Sequence, residues 1–129
     1  MICKTINYTD FNGNQRTEEF YFNLTDQEIT ELELTTEGGF RKMIDRIVAA
    51  KSQTELVMLF KDLIMKAYGK KGLDGRTFDK SPEVKKEFAS TQAFSDIYME
   101  LVTNTDKAVE FFNGVVDRPA KPNLEVAKQ

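Results

Sequence analysis

A chain of 129 residues with 40% apolar and 30% charged residues, ten Phe and four Tyr has enough apolar side chain to fill one core without disulfides or a structural metal. A formal charge of −3 argues against duplex DNA binding through a basic face, while zero His and a single Cys remove internal disulfides and most metalloenzyme and catalytic-triad chemistry. The opening MICKTINYTD lacks a signal-peptide core and no later stretch approaches the roughly 20 apolar residues of a membrane span, so a reducing cytoplasm is expected.

In chain order, Ile2, Ile6 and Tyr8 share one period-two face and Phe20, Phe22 and Leu24 another, flanking the turn-rich Asn12-Gly13-Asn14. This pattern predicts a β-hairpin over 2–24. A three-residue loop would set Ile6 opposite Phe20 and Ile2 opposite Leu24, and the apolar face of such a hairpin must dock on helices or on another copy's sheet. The loop is not a calcium site, because Gln15 stands where the glycine is needed and Tyr21 where the Glu is needed.

Thr25-Asp26-Gln27-Glu28 is a capping box that starts a helix with Ile29 and Leu32 facing inward, and Leu34 as a further candidate. Gly38-Gly39 ends it. Phe40, Met43, Ile44, Ile47 and Val48 trace the next amphipathic helix, to about Lys51. A second capping box, Ser52-Gln53-Thr54-Glu55, opens a helix with Leu56, Leu59, Phe60, Leu63, Ile64 and Ala67 on its apolar face, widened by Val57, Met58 and Met65.

Tyr68 to Lys80 reads as a turn-rich connection between helices, held by Tyr68 and Phe78 packing on the core. Its glycines and lysines do not form a phosphate loop: no G-x-x-x-x-G-K-[ST] pattern occurs, and the segment follows a predicted helix. Ser81-Pro82-Glu83 restarts a helix anchored by Val84 and Phe88. Phe94, Ile97, Tyr98 and Leu101 line one face of the following helix, and Ala108, Val109, Phe111, Phe112 and Val115 line the last. Thr103-Asn104-Thr105-Asp106 breaks the two. The fold expected is α+β, a mainly helical single domain over 1–116 with hairpin 2–24 and helices over 25–116, followed by a flexible tail at 117–129.

Charge is divided along the chain. Thr17 to Glu37 holds seven acids and no Lys or Arg, whereas Phe40 to Phe88 holds twelve basic and seven acidic residues. Each helix then has a solvated face, or an acidic surface of one copy meets a basic surface of the next. Met43, Met58, Met65 and Met99 lie on or beside the apolar stripes, either filling core gaps or forming an adaptable groove for an amphipathic helix. Paired carboxylates such as Glu18-Glu19 or Glu28 with Glu31 have no pocket-forming pattern around them, and Cys3 has no neighbour that would activate it. No catalytic, cofactor or metal residues are assigned.

Three blocks, FYFNLTDQEITELEL (20–34), AYGKKGLDGRTFDKSPE (67–83) and TQAFSDIYMELVTNTDKAVEFFNGVV (91–116), give the chain its resemblance to the tail assembly chaperones of long-tailed bacteriophages. The resemblance implies a non-enzymatic assembly factor of the host cytoplasm, absent from the mature virion. Such a factor coats the long helical tape measure protein and recruits tail tube subunits during virion morphogenesis. Beside the resemblance, the division of charge points to self-association into a ring or spiral, and composition and motifs point to no cofactor and no nucleic-acid or membrane partner. In that light Tyr68, Arg76, Phe78, Phe94, Tyr98, Phe111 and Phe112 are the candidate partner-binding residues. The sequence is similar to the short form in a family whose longer form arises by ribosomal frameshifting. A structural virion component of the tail tube or head-tail connector is the alternative.

Overall fold

The computed structural model describes residues 1–50 and 53–116. Its elements are β1 (Ile2–Thr9), β2 (Gln15–Phe22), α1 (Asp26–Thr35), α2 (Phe40–Ala50), α3 (Gln53–Ala67), β3 (Tyr68–Lys71), β4 (Phe78–Asp79), α4 (Pro82–Ala89), α5 (Gln92–Thr103) and α6 (Thr105–Val116). The architecture is α+β and mainly helical, with the N-terminal hairpin in place. The expected tail, the Ser52 cap and a helix end at Lys51 lie outside the described residues.

The four strands form an antiparallel sheet in the order β1-β2-β3-β4. Alternation gives the first hairpin two faces. Tyr8, Phe20 and Phe22 are buried on one side, while Cys3, Thr5, Asn7, Thr9, Gln15, Thr17 and Glu19 are exposed on the other. The expected register is corrected by two residues: Ile2 pairs with Phe22, Lys4 with Phe20 and Ile6 with Glu18. Asp10 sets this slip. Its Oδ1 accepts the backbone N–H groups of Asn12 and Asn14, each at 2.9 Å, and its Oδ2 accepts Arg16 Nε at 2.7 Å, closing a longer loop than the three-residue turn. A slip of two preserves parity, so the side chains assigned to the core face stay there.

The connection from Tyr68 to Lys80 is also corrected, because it contains a second hairpin. β3 joins β2 only at Tyr21–Gly69 and Phe22–Tyr68, then turns to pair Lys70 with Asp79 and Lys71 with Phe78. Gly69 permits this close crossing: a Cβ there would lie 2.5 Å from the Phe78 ring.

The core centres on Phe22, which is fully buried. The rings of Tyr68, Phe88 and Phe111 meet it edge-on at 5.8, 5.9 and 5.2 Å between centroids, and Tyr68 stacks on Phe88 at 4.0 Å. Leu24, Leu63, Ile64, Ile97, Leu101 and Val115 complete the interior around them. From α6, Gly114 packs directly on Ile2 of β1.

Helix ends follow the sequence closely. Thr25 and Glu28 form the capping box of α1, and Gly38 and Gly39 take φ of +79° and +92° beyond its end. Ser81 caps α4 with Pro82 in its first turn, Thr91 caps α5, and the Asn104 side chain accepts Lys107 N at the start of α6. At the end of α3 the Ala67 carbonyl accepts Asn23 N at 2.8 Å, while Lys85 Nζ donates to the carbonyls of Met65, Lys66 and Tyr68. Burial, followed by the nearby Lys80 charge, brings the Lys85 amine down to about 8.

Lys80 ties the second hairpin to α1. Its Nζ donates to Glu28 Oε1 at 2.7 Å and to the Asn23 carbonyl at 2.7 Å. Burial pushes the Glu28 carboxyl up, but the hydrogen bonds from Lys80 and Thr25 and the ammonium charge outweigh it, leaving the group below its ordinary 4.5.

Phe22→Ala is expected to cost about 3–5 kcal/mol in chemical denaturation. The exposed-site change Met99→Ala should cost less than about 0.5 kcal/mol. Because folding lowers its pKa, Glu28 stabilises fully above 4.5 and progressively less as pH falls through the folded value. The stability gap between wild type and Glu28→Gln should therefore shrink on acidification, and a gap unchanged down to pH ~3 would remove the charge contribution.

Candidate partner-binding surfaces

The seven residues singled out from sequence fall into three groups. Tyr68, Phe111 and Phe112 are buried, the last against Phe40 at 5.9 Å and beneath the Arg41 guanidinium at 5.5 Å. Phe78, Phe94 and Tyr98 are half-buried; Phe94 meets Phe88 edge-on at 5.4 Å and Tyr98 at 6.1 Å, one helical turn along α5. Arg76 stands exposed at the tip of the β3–β4 hairpin. Core packing thus occupies the first group, and the accessible members lie on α5 and on the hairpin.

A groove lies between α1, α2 and α3. It has a volume of about 440 Å³ and is lined by Leu32, Phe40, Met43, Leu59, Leu63 and Met65, with Asp62 and Lys66 also bordering it. The helix supplying one wall explains why it stays open. No α1 side chain is fully buried, Ile29 and Leu32 reach only half-burial, and Leu34, an inward candidate from sequence, is 80% exposed. Met58 also faces solvent on α3, correcting its place on the apolar face, whereas Met43 and Met65 pack partly against the core. The methionines carried the signal for this groove. The apolar-stripe pattern could not show that α1 would leave one side of it uncovered.

A larger depression, about 740 Å³, follows the part of β2 that β3 does not cover, with Tyr8, Arg16, Glu18, Tyr68, Lys70 and Glu87 among its lining residues. At its hairpin end Tyr8, Asp10, Arg16 and Glu18 are bonded to one another. Tyr8 donates to Glu18 Oε1 at 2.6 Å, and that hydrogen bond, then burial, pushes the phenol up to about 12. Arg16 bridges Asp10 and Glu18, and its hydrogen bond, followed by the Asn14 amide, holds the Asp10 carboxyl below its ordinary value. This network orders the hairpin end and leaves Tyr8 neutral near neutral pH.

The paired carboxylates separate in the same way. Glu18 and Glu19 point to opposite sheet faces, and Glu28 serves the α1 cap and Lys80 while Glu31 accepts from Gln27 on the outer surface. Among the described residues no group of three or more His, Cys, Asp or Glu converges as a metal site. Among them, too, no helix is long and apolar enough to cross a membrane.

No curated protein and no solved structure matches the chain. A family model described as phage tail assembly chaperone matches residues 1–126, covering the hairpin, all six described helices and the surfaces above. The chain therefore belongs to the phage tail assembly chaperone family, whose work is assembly and not catalysis.

Proposed function

We propose that this chaperone holds amphipathic helical segments of the tape measure protein in the α1–α2–α3 groove, in the host cytoplasm, and recruits tail tube subunits to them. The groove carries the reading. Its floor is apolar, and Met43 and Met65 bring unbranched thioethers that repack around side chains of different shape. Such a surface grips many similar helices without requiring one sequence, as a long repetitive client demands. The half-buried Phe94–Tyr98 pair on α5 supplies a separate aromatic surface for the tube subunit, aromatic anchors being the usual source of interface energy.

Co-expression tests the reading directly. Wild-type chain should keep the tape measure protein soluble, and Leu59→Glu, which places a charge at the groove, should abolish that effect while far-ultraviolet circular dichroism remains unchanged. A tape measure protein that stays insoluble with the wild-type chain present would overturn the proposal. Mass spectrometry of purified virions should find the chain absent; its presence at tube stoichiometry would favour a structural component.

A further inference from the structure

β3 leaves β2 after two pairs, and the backbone beyond them is a free strand edge. Bonds at the two ends of β2 fix which way its peptide groups point. The Asn14 carbonyl accepts Asp10 N from the β1 side, whereas Asn23 N donates to the Ala67 carbonyl on the β3 side. Peptide groups of alternate residues in a strand face opposite neighbours, so Arg16, Glu18 and Phe20 bond to β1 while Thr17, Glu19 and Tyr21 face away from it. Tyr21 meets Gly69. Thr17 and Glu19 meet no strand, because β3 has turned off to pair with β4, and among the described residues no other backbone group bonds to theirs. Their N–H and C=O groups open on the depression of about 740 Å³, whose far wall is Glu87, Phe88 and the α4–α5 junction at Ser90, Thr91 and Gln92. The edge carries none of the usual guards, having no Pro, no bulge in its register and no Lys. Charge around the gap is uneven: Arg16 is already shared between Asp10 and Glu18, Lys70 and Lys71 stand at the β3 end, and Glu19 and Glu87 are exposed and in no ion pair.

We infer that a partner protein adds a short, basic, extended segment to this edge, antiparallel to β2, in the place β3 vacates. Residues of the segment opposite Thr17 and Glu19 exchange paired N–H···O=C bonds with them. Their side chains lie on the outer sheet face, where Glu19 selects Lys or Arg and Thr17 a β-branched residue. The register of Tyr21 with Gly69, carried straight on, sets Lys71 opposite Glu19, so a basic residue there follows the sheet's own pattern. The intervening side chains turn inward over Phe20 and Phe88, which line the floor, and are apolar. A helix cannot fill this site, since its peptide groups are already bonded internally. The edge therefore takes different chemistry from the α1–α2–α3 groove, and it does not depend on what that groove holds.

Binding of capped, labelled short peptides to the purified chain, read by fluorescence anisotropy, is the experiment. A peptide alternating Val with Lys and Thr is expected to bind, and one with Glu in place of Lys to bind about tenfold more weakly. N-methylation of the Lys and Thr amides, which face β2, should abolish binding, while the same change at the Val amides should leave it intact. Thr17→Pro removes an N–H that faces the gap and spares the β1 ladder, so it should lose the peptide, whereas Thr17→Val should keep it. Glu19→Lys with Glu87→Lys should invert the preference between the Lys and Glu peptides. In the free chain the Thr17 and Glu19 amides should exchange hydrogen faster than those of Glu18 and Phe20, and the peptide should protect them. Unaltered circular dichroism confirms that each variant folds, and the N-methylated peptides decide the matter on the wild type alone. A wild type that binds neither peptide, a folded Thr17→Pro variant that binds like the wild type, or equal binding of the two N-methylated peptides would overturn the site.

Discussion

Phe22 is the residue on which the fold depends. It closes β2, pairs with Ile2 of β1 on one side and Tyr68 of β3 on the other, and directs its ring into the edges of Tyr68, Phe88 and Phe111. Those rings come from β3, from α4 and from α6, so one buried side chain joins segments spread across the chain. An isolated hairpin is marginal in water; this one is stabilised because its apolar face is covered by helices that arrive much later in sequence. The three sequence blocks that resemble the chaperone family meet here, Phe22 from the first, Tyr68 from the second and Phe111 from the third. Lys80 fastens the first two again through Glu28 and Asn23.

Local signals were legible where the physics is local. Thr25 with Glu28, Ser81 with Pro82, and Gly38-Gly39 specify helix ends through atoms within a few residues of one another, and each acts as its pattern predicts. The parity of the first hairpin was equally legible, since burial of alternate side chains does not depend on register. The register itself was not, because it rests on Asp10 collecting two backbone amides and Arg16, a preference that apolar pairing cannot reveal. β3 and β4 escaped notice for a related reason. They make few pairs each, β3 carries Gly69, Lys70 and Lys71 in its four residues, and both exist because Tyr68 is already held by Phe22 and Phe88.

The candidate surfaces were partly legible. Aromatic residues at helical spacing mark interface or core alike, and only the packing separates Phe111 and Phe112, which are buried, from Phe94 and Tyr98, which stay half-exposed. Leu34 shows the opposite ambiguity. Its spacing from Leu32 and Ile29 is compatible with either side of a short helix, and α1 turns Ile29 and Leu32 toward α2 and α3 while leaving Leu34 outside.

The division of the molecule follows from this packing. The sheet, α3, α4, α5 and α6 share one aromatic interior, whereas α1 contributes no fully buried side chain and leans on α2 beside an open groove. A helix held by its cap, by Lys80 on Glu28, by Glu33 accepting Arg41 N and by half-buried contacts shifts more readily than one locked in the core, because few close-packed apolar contacts must be broken to move it. Under the proposed function that is where adaptability is needed: a client helix entering the groove supplies the apolar cover that Ile29, Leu32, Met43 and Met65 lack.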